Sequence, residues 1–167
     1  GLAAAQAADK VLFEDSDFSK GGWSEFIEIP GTGGWEVKSR ELGELVQGVV
    51  QEVTLEGDGG VYLSAGRGNY GSIFRGEGVI YAFRVRNGER DPVGQVDSSG
   101  KVDLRIGFDG AFFIYEYRSG DKWSRIGKSD IVGLVPYKAG VSTSSRASGM
   151  SNYRVVELES LKGVRFG

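Results

Sequence analysis

The chain contains no cysteine and no histidine. Without cysteine it has no disulfides, no thiolate nucleophile and no thiolate metal site. Without histidine it lacks the usual general base near neutral pH and the commonest transition-metal ligand. Ser-His-Asp and Cys-His catalysis and His-based zinc hydrolysis are therefore excluded. Proline is scarce as well, 3 residues against 28 glycines, so turns are made mainly with glycine. No apolar run approaches the about 18 residues of a membrane span. The formal net charge of −3 offers no basic footprint for general nucleic-acid binding. At 167 residues one two-layer domain is expected, and no Pro-rich or charge-rich break divides it.

What is present is hydrophobic alternation of period two, with almost no helical periodicity. Strand candidates are Lys10–Phe13, Trp35–Lys38, Gly48–Leu55, Gly60–Ser64, Val79–Arg86, Lys101–Phe108, Ala111–Arg118, Lys138–Thr143 and Arg154–Leu161. Glycine-rich segments separate them, at 31–34, 57–60, 66–71 and 119–121. Ser39–Val46 could form a helical turn, with Gly43 weakening it. Asp109-Gly110 suits a two-residue hairpin turn. That turn predicts Phe108 opposite Ala111, Ile106 opposite Phe113 and Leu104 opposite Tyr115. The other face then pairs Arg105 with Ile114 and Asp103 with Glu116. The expected fold is all-β, a two-sheet antiparallel sandwich.

The opening GLAAAQAADK looks like the region around a small-residue signal cleavage site, or a flexible tail. Residues 1–10 are expected as tail or cleavage remnant of an exported protein, and residues 11–167 as a single domain. The apolar-polar alternation of Gly1–Lys10 also permits strand addition to a neighbouring copy.

Several motifs carry a resemblance. Leu12 to Ser19, Gly22-Trp23 and Gly34-Trp35-Glu36-Val37 resemble the start of concanavalin A-like jelly rolls. Val102–Ile106, Asp109-Gly110, Phe113–Tyr117 and Lys122-Trp123 resemble their mid-domain hairpin, and Tyr137–Val141 with Tyr153–Val156 their closing strands. The resemblance implies two stacked sheets with carbohydrate bound across the concave one or at the loop edge. A second resemblance is to the jelly-roll alginate lyases, whose motifs run R-S-E-L-R, Q-I-H and Y-F-K-A-G-x-Y-N-Q. Here stand Ser39-Arg40-Glu41-Leu42, Gln95-Val96-Asp97 and Pro136-Tyr137-Lys138-Ala139-Gly140-Val141-Ser142. It implies β-elimination around Arg40, Gln95, Asp97 and Lys138. The departures fall on the catalytic pair, Asp97 for His and Ser142 for Tyr.

Sugar binding needs rings to stack on pyranose faces and polar groups for the hydroxyls. Trp23, Trp35, Tyr62, Tyr70, Tyr81, Tyr117 and Trp123 are candidate rings. Arg67, Asn69 and Tyr70 share a glycine loop, and Trp123 follows Gly120-Asp121-Lys122. Arg84 and Arg86 alternate on one strand; were Arg105 on a neighbouring one, a cationic face for an acidic polysaccharide would result. Cross-strand ion pairs with Asp103 and Glu116 are the alternative. Glu157 and Glu159 have the spacing of paired carboxylates, or of a solvated strand face. Asp15 and Asp17, beside Glu14, suit a structural Ca²⁺, and Glu56–Gly60 is a second acidic loop. The first expectation is a secreted, non-catalytic carbohydrate-binding module with a polysaccharide partner. The alternatives are an atypical polysaccharide lyase and an extracellular filament or adhesin subunit.

Overall fold

The structure, a computed structural model, describes residues 10–20, 24–25, 35–41, 48–66, 68–130, 134–144 and 149–157. These form strands β1 (Lys10–Asp15), β2 (Ser24–Glu25), β3 (Trp35–Glu41), β4 (Val49–Leu55), β5 (Gly59–Ser64), β6 (Tyr70–Gly76) and β7 (Val79–Arg86). Then come β8 (Glu89–Asp97), β9 (Val102–Phe108), β10 (Phe112–Arg118), β11 (Ser124–Asp130), β12 (Lys138–Ser144) and β13 (Ser151–Glu157). A six-stranded sheet runs β1-β13-β4-β9-β10-β11, and a seven-stranded sheet runs β2-β3-β12-β5-β6-β7-β8. All pairings are antiparallel. The chain is thus the all-β, two-sheet antiparallel sandwich that the alternation predicts, with the two stacked sheets that the jelly-roll resemblance implies.

Between the sheets lie the inward residues of each strand. Val49, Val53 and Leu55, then Leu104, Ile106 and Phe108, then Phe113 and Tyr115 line one layer. Val61, Leu63, Ile73, Ile80, Ala82, Ala139 and Val141 line the other. Burying each large aliphatic side chain contributes roughly 1.5–3 kcal/mol. Two buried polar groups stitch the layers. Gln51 donates to the Tyr62 carbonyl (2.7 Å) and accepts from the Tyr153 hydroxyl. The Tyr115 hydroxyl donates to the Phe83 carbonyl at 3.2 Å. Gly71 makes room for that ring, since a Cβ there would stand 2.8 Å from both Phe113 and the Tyr115 hydroxyl.

Every predicted strand overlaps an observed one, the last of them over 154–157 in β13 while residues 158–161 lie outside the described residues, and β2, β6, β8 and β11 are additional. The helical reading of Ser39–Val46 is corrected, because Ser39 to Glu41 completes β3; residues 42–47 lie outside the described residues. The hairpin register is corrected too. Phe108 pairs with Phe113, Ile106 with Tyr115, Arg105 with Glu116 and Asp103 with Arg118. The connection is longer than two residues because Asp109 Oδ1 accepts from the Ala111 and Phe112 amides (3.0 and 2.8 Å), with Gly110 at φ 99°. The slip is two residues, so every side chain keeps its face. It does exchange the like-charge Asp103/Glu116 pairing for two ion pairs.

Candidate functional site

The outer face of the seven-stranded sheet carries a row of rings. The register sets Tyr62 beside Ser72, Ser72 beside Phe83, Phe74 beside Tyr81 and Tyr81 beside Gln95. The Phe74 and Tyr81 rings stack with centroids 5.2 Å apart and planes 28° apart. Phe83 meets Phe74 edge-on at 5.9 Å and Tyr70 at 6.2 Å, and Tyr70 meets Tyr62 at 6.4 Å. The Arg90 guanidinium lies 3.9 Å from the Phe83 centroid. Tyr70, Phe74 and Tyr81 are half-buried, Tyr62 and Phe83 are buried (1% and 8% exposed), and Arg90 and Gln95 are exposed. Burial raises the Tyr70 phenol above its ordinary pKa, partly offset by the Arg90 charge. The result is an aromatic strip in which Tyr70, Phe74 and Tyr81 reach solvent and Phe83, under Arg90, joins them from beneath, with Gln95 and Arg90 at its edge. Tyr62, Tyr70 and Tyr81 were expected as stacking rings; Phe74, Phe83 and Arg90 were not.

The six-stranded sheet's outer face is built differently. Its register aligns Glu14, Arg154, Glu52, Arg105, Glu116 and Arg125, one per strand in spatial order. Such alternation places unlike charges directly opposite at every step. Arg154 Nε lies 3.2 Å from Glu14, and Arg125 Nε 3.8 Å from Glu116. At the centre, Arg105 Nε donates to Glu116 Oε1 at 2.7 Å, and both side chains are 0% exposed. Burial pulls the Arg105 guanidinium's pKa down against the Glu116 charge beside it. Trp123 covers the pair, with the Arg105 and Arg118 guanidinium carbons 4.1 and 4.5 Å from its ring.

Arg105 and Trp123 are therefore withdrawn from solvent and bind each other. The continuous cationic face imagined for Arg84, Arg86 and Arg105 does not form, because β7 and β9 belong to different sheets. Arg84 instead bridges Asp91 (2.6 Å) and Asp130 (2.8 Å), tying the edge strands β8 and β11 together. Arg86 is exposed at the end of β7. Asn69 pins its loop, its Oδ1 accepting from the Asn87 amide (3.1 Å), while Tyr70 opens β6. Arg67, Trp23, Glu159 and residues 1–9 lie outside the described residues.

Of the lyase set, Gln95, Asp97 and Lys138 share the outer face of the seven-stranded sheet by register. Yet β5, β6 and β7 separate Lys138 from the other two, about 19 Å at roughly 4.8 Å per step. Arg40 lies in β3 at the register of Ala139. Lys138 therefore does not converge with Gln95 and Asp97 on one substrate atom.

Asp15 is 1% exposed and accepts from the Asp17, Ser19 and Lys20 amides at 3.4, 3.2 and 2.8 Å. Asp17 Oδ1 accepts from the Ser19 amide at 3.1 Å, and hydrogen bonds from Ser19 hold its carboxyl below its ordinary pKa. Both cap their own turn. Among the described residues, no group of three or more acidic side chains is placed to hold a metal ion.

Glu52 differs from the rest of its charge row. No hydrogen bond or close ion pair reaches its carboxylate from the described residues, and burial raises its pKa, offset in part by Arg154, Arg105 and Arg118. A carboxyl with a raised folded-state pKa binds its proton more tightly folded than unfolded, so its stabilising contribution is full below the unfolded pKa and is lost as pH rises through the folded one. Glu52→Gln is accordingly expected to be more stable than the parent at neutral pH. The difference should shrink to nothing as pH falls below the ordinary glutamate value of about 4.3. Urea unfolding across that range measures it; a difference that grows toward low pH contradicts it.

No family model and no curated protein matches the chain. Among solved structures it is similar to the CBM2 module of the evolved Dit of Lactobacillus casei BL23 phage J-1, with TM-score 0.59, 9% identity, and coverage of 95% of this chain and 98% of that one. The VIP36 exoplasmic/lumenal domain, in its Ca²⁺/Man3GlcNAc-bound form, matches at TM-score 0.52 and 13% identity over 89% and 90% of the two chains. A GH43 protein of Bacillus licheniformis matches at TM-score 0.50 and 17% identity, over 81% of this chain. The chain spans only 33% of that GH43 protein's length. At these identities the likeness is one of fold. The class so defined is the lectin-like jelly-roll sandwich.

Proposed function

We propose that the chain is a carbohydrate-binding module that takes a polysaccharide on the outer face of its seven-stranded sheet, without catalysing its cleavage. The aromatic strip Tyr70–Phe83–Phe74–Tyr81 is the observation that carries this reading. Rings held rigid by their neighbours present flat apolar area at low entropic cost, which suits the C–H faces of successive sugars. The exposed Gln95 and Arg90 flank the strip with donors and acceptors for hydroxyls, and the Arg90 cation favours chains that include uronates. Two neighbours in fold support the reading by name, one a CBM2 module and one a domain bound to Man3GlcNAc. Export, expected from the Ala-rich opening, belongs to the same proposal.

Affinity electrophoresis against xylan, mannan, β-glucan and alginate, with and without EDTA, tests it. At least one polymer should retard the protein. Tyr81→Ala should weaken that retardation about tenfold, the loss of one stacked ring, with little change in thermal stability because Tyr81 is only half-buried. Retardation abolished by EDTA would bring Asp15 and Asp17 back as calcium ligands. No retardation by any polymer contradicts the proposal.

A further inference from the structure

On the opposite side of the molecule, next to the charge row, a cleft of about 310 Å³ opens between Glu52, Val53, Thr54, Lys101, Asp103, Arg118 and Asn152. Its size is at the small end of ligand clefts, roughly 300–1,000 Å³. Four strands and the turn before β9 build it. Thr54 and Asp103 are register partners on β4 and β9, and Asp103 pairs with Arg118 on β10. Asn152 sits in a β-bulge of β13 at φ 54°, with its amide fixed to Ser16. Bulges of this kind re-aim a side chain, and here the Asn152 Nδ2 donates to Thr54 Oγ1 at 3.3 Å. Thr54 Oγ1 donates in turn to Asp103 Oδ1 (2.7 Å), whose Oδ2 accepts from Arg118 Nε and Nη2 at 2.9 and 2.7 Å. One wall is thus pre-organised by a chain of hydrogen bonds. The Glu52 carboxylate, by contrast, accepts no hydrogen bond from any described residue, and Lys101 is exposed at the rim.

We infer that this cleft is a second binding site, independent of the aromatic strip, for a single neutral polyhydroxylated ring such as a sugar unit. Its charges decide the class of ligand. Two carboxylates, Glu52 and Asp103, stand with two cations, Lys101 and Arg118, so the lining is formally neutral. An anion would meet both carboxylates and a metal ion both cations, whereas a hydroxyl donates and accepts at once and suits such a lining. Glu52 accepts from one hydroxyl, while Lys101 and the second Asn152 amide proton donate to others. Hydrolysis is not part of the inference: both Asp103 oxygens are engaged by Thr54 and Arg118, leaving it committed as a structural acceptor.

Backbone amide NMR of the full chain, titrated with xylose, arabinose, galactose, glucose and mannose, reads the cleft directly. Glucuronate and glucosamine are the charged controls. At least one neutral sugar should cause saturable shifts at Thr54, Asp103 and Asn152, and both charged sugars should bind more weakly. Glu52→Gln and the exposed-site variant Lys101→Ala should each weaken the binding by about tenfold. Repeating the titration in Tyr81→Ala separates the two faces, so a silent aromatic strip leaves the cleft result readable. Absence of saturable shifts with every neutral sugar overturns the inference. So do tighter binding of a charged sugar and affinity unchanged in both cleft variants.

Discussion

Glu116→Ala is expected to destabilise the fold by about 3–5 kcal/mol, because it strands the fully buried Arg105 without its carboxylate. For a chain of this size that corresponds to a fall in Tm of roughly ten degrees or more, at about 2–4 °C per kcal/mol. The double replacement Arg105→Met/Glu116→Leu is expected to recover most of the loss. Removing both charges also removes both desolvation penalties, and the cover given by Trp123 suits an apolar pair. Urea unfolding followed by circular dichroism gives the full cycle. A single variant as stable as the parent, or a double variant as unstable as the single, contradicts the buried-pair reading.

Trp123→Ala carries the second large effect, about 3–5 kcal/mol, the range for truncating a buried ring. The ring is 7% exposed and packs against two guanidinium groups, so its loss opens a cavity and lets water reach the Arg105–Glu116 pair. Glycan retardation below the unfolding temperature is expected to stay unchanged, because Trp123 belongs to the six-stranded sheet's outer side. Retardation lost with stability intact would instead make Trp123 a sugar-stacking residue.

The sandwich was legible because period-two alternation is strong wherever one face is buried: Val102-Asp103-Leu104-Arg105-Ile106 can only alternate in and out of a core. The missed strands lack that contrast. β8 has the sequence ERDPVGQVD, mostly exposed and interrupted by Pro92, and β11 has SRIGKSD, similarly polar. Both are edge strands, where charge and proline discourage further pairing. β6 was masked by Gly71, which read as loop but is required by the packing of Tyr115 against the sheet.

Missing β6 hid Phe74, and with it the strip. The alternation Tyr70, Ser72, Phe74 beside Tyr81 and Phe83 was present in the sequence, but only strand adjacency makes it one surface. The charge row was hidden for a related reason. A two-residue turn at Asp109-Gly110 sets Asp103 against Glu116, and that like-charge clash was itself evidence for the longer connection. The register that pairs Arg105 with Glu116 and Arg118 with Asp103 requires the longer loop and makes both ion pairs at once.

Amide chemical-shift mapping with the polysaccharide that most retards the protein bears most directly on carbohydrate recognition by the aromatic strip. The largest shifts are expected at Tyr70, Phe74, Tyr81, Phe83 and Arg90, and in Tyr81→Ala they are expected to need about tenfold more polysaccharide to reach the same size. Shifts confined to the six-stranded sheet, or no shifts with any polymer, would contradict it.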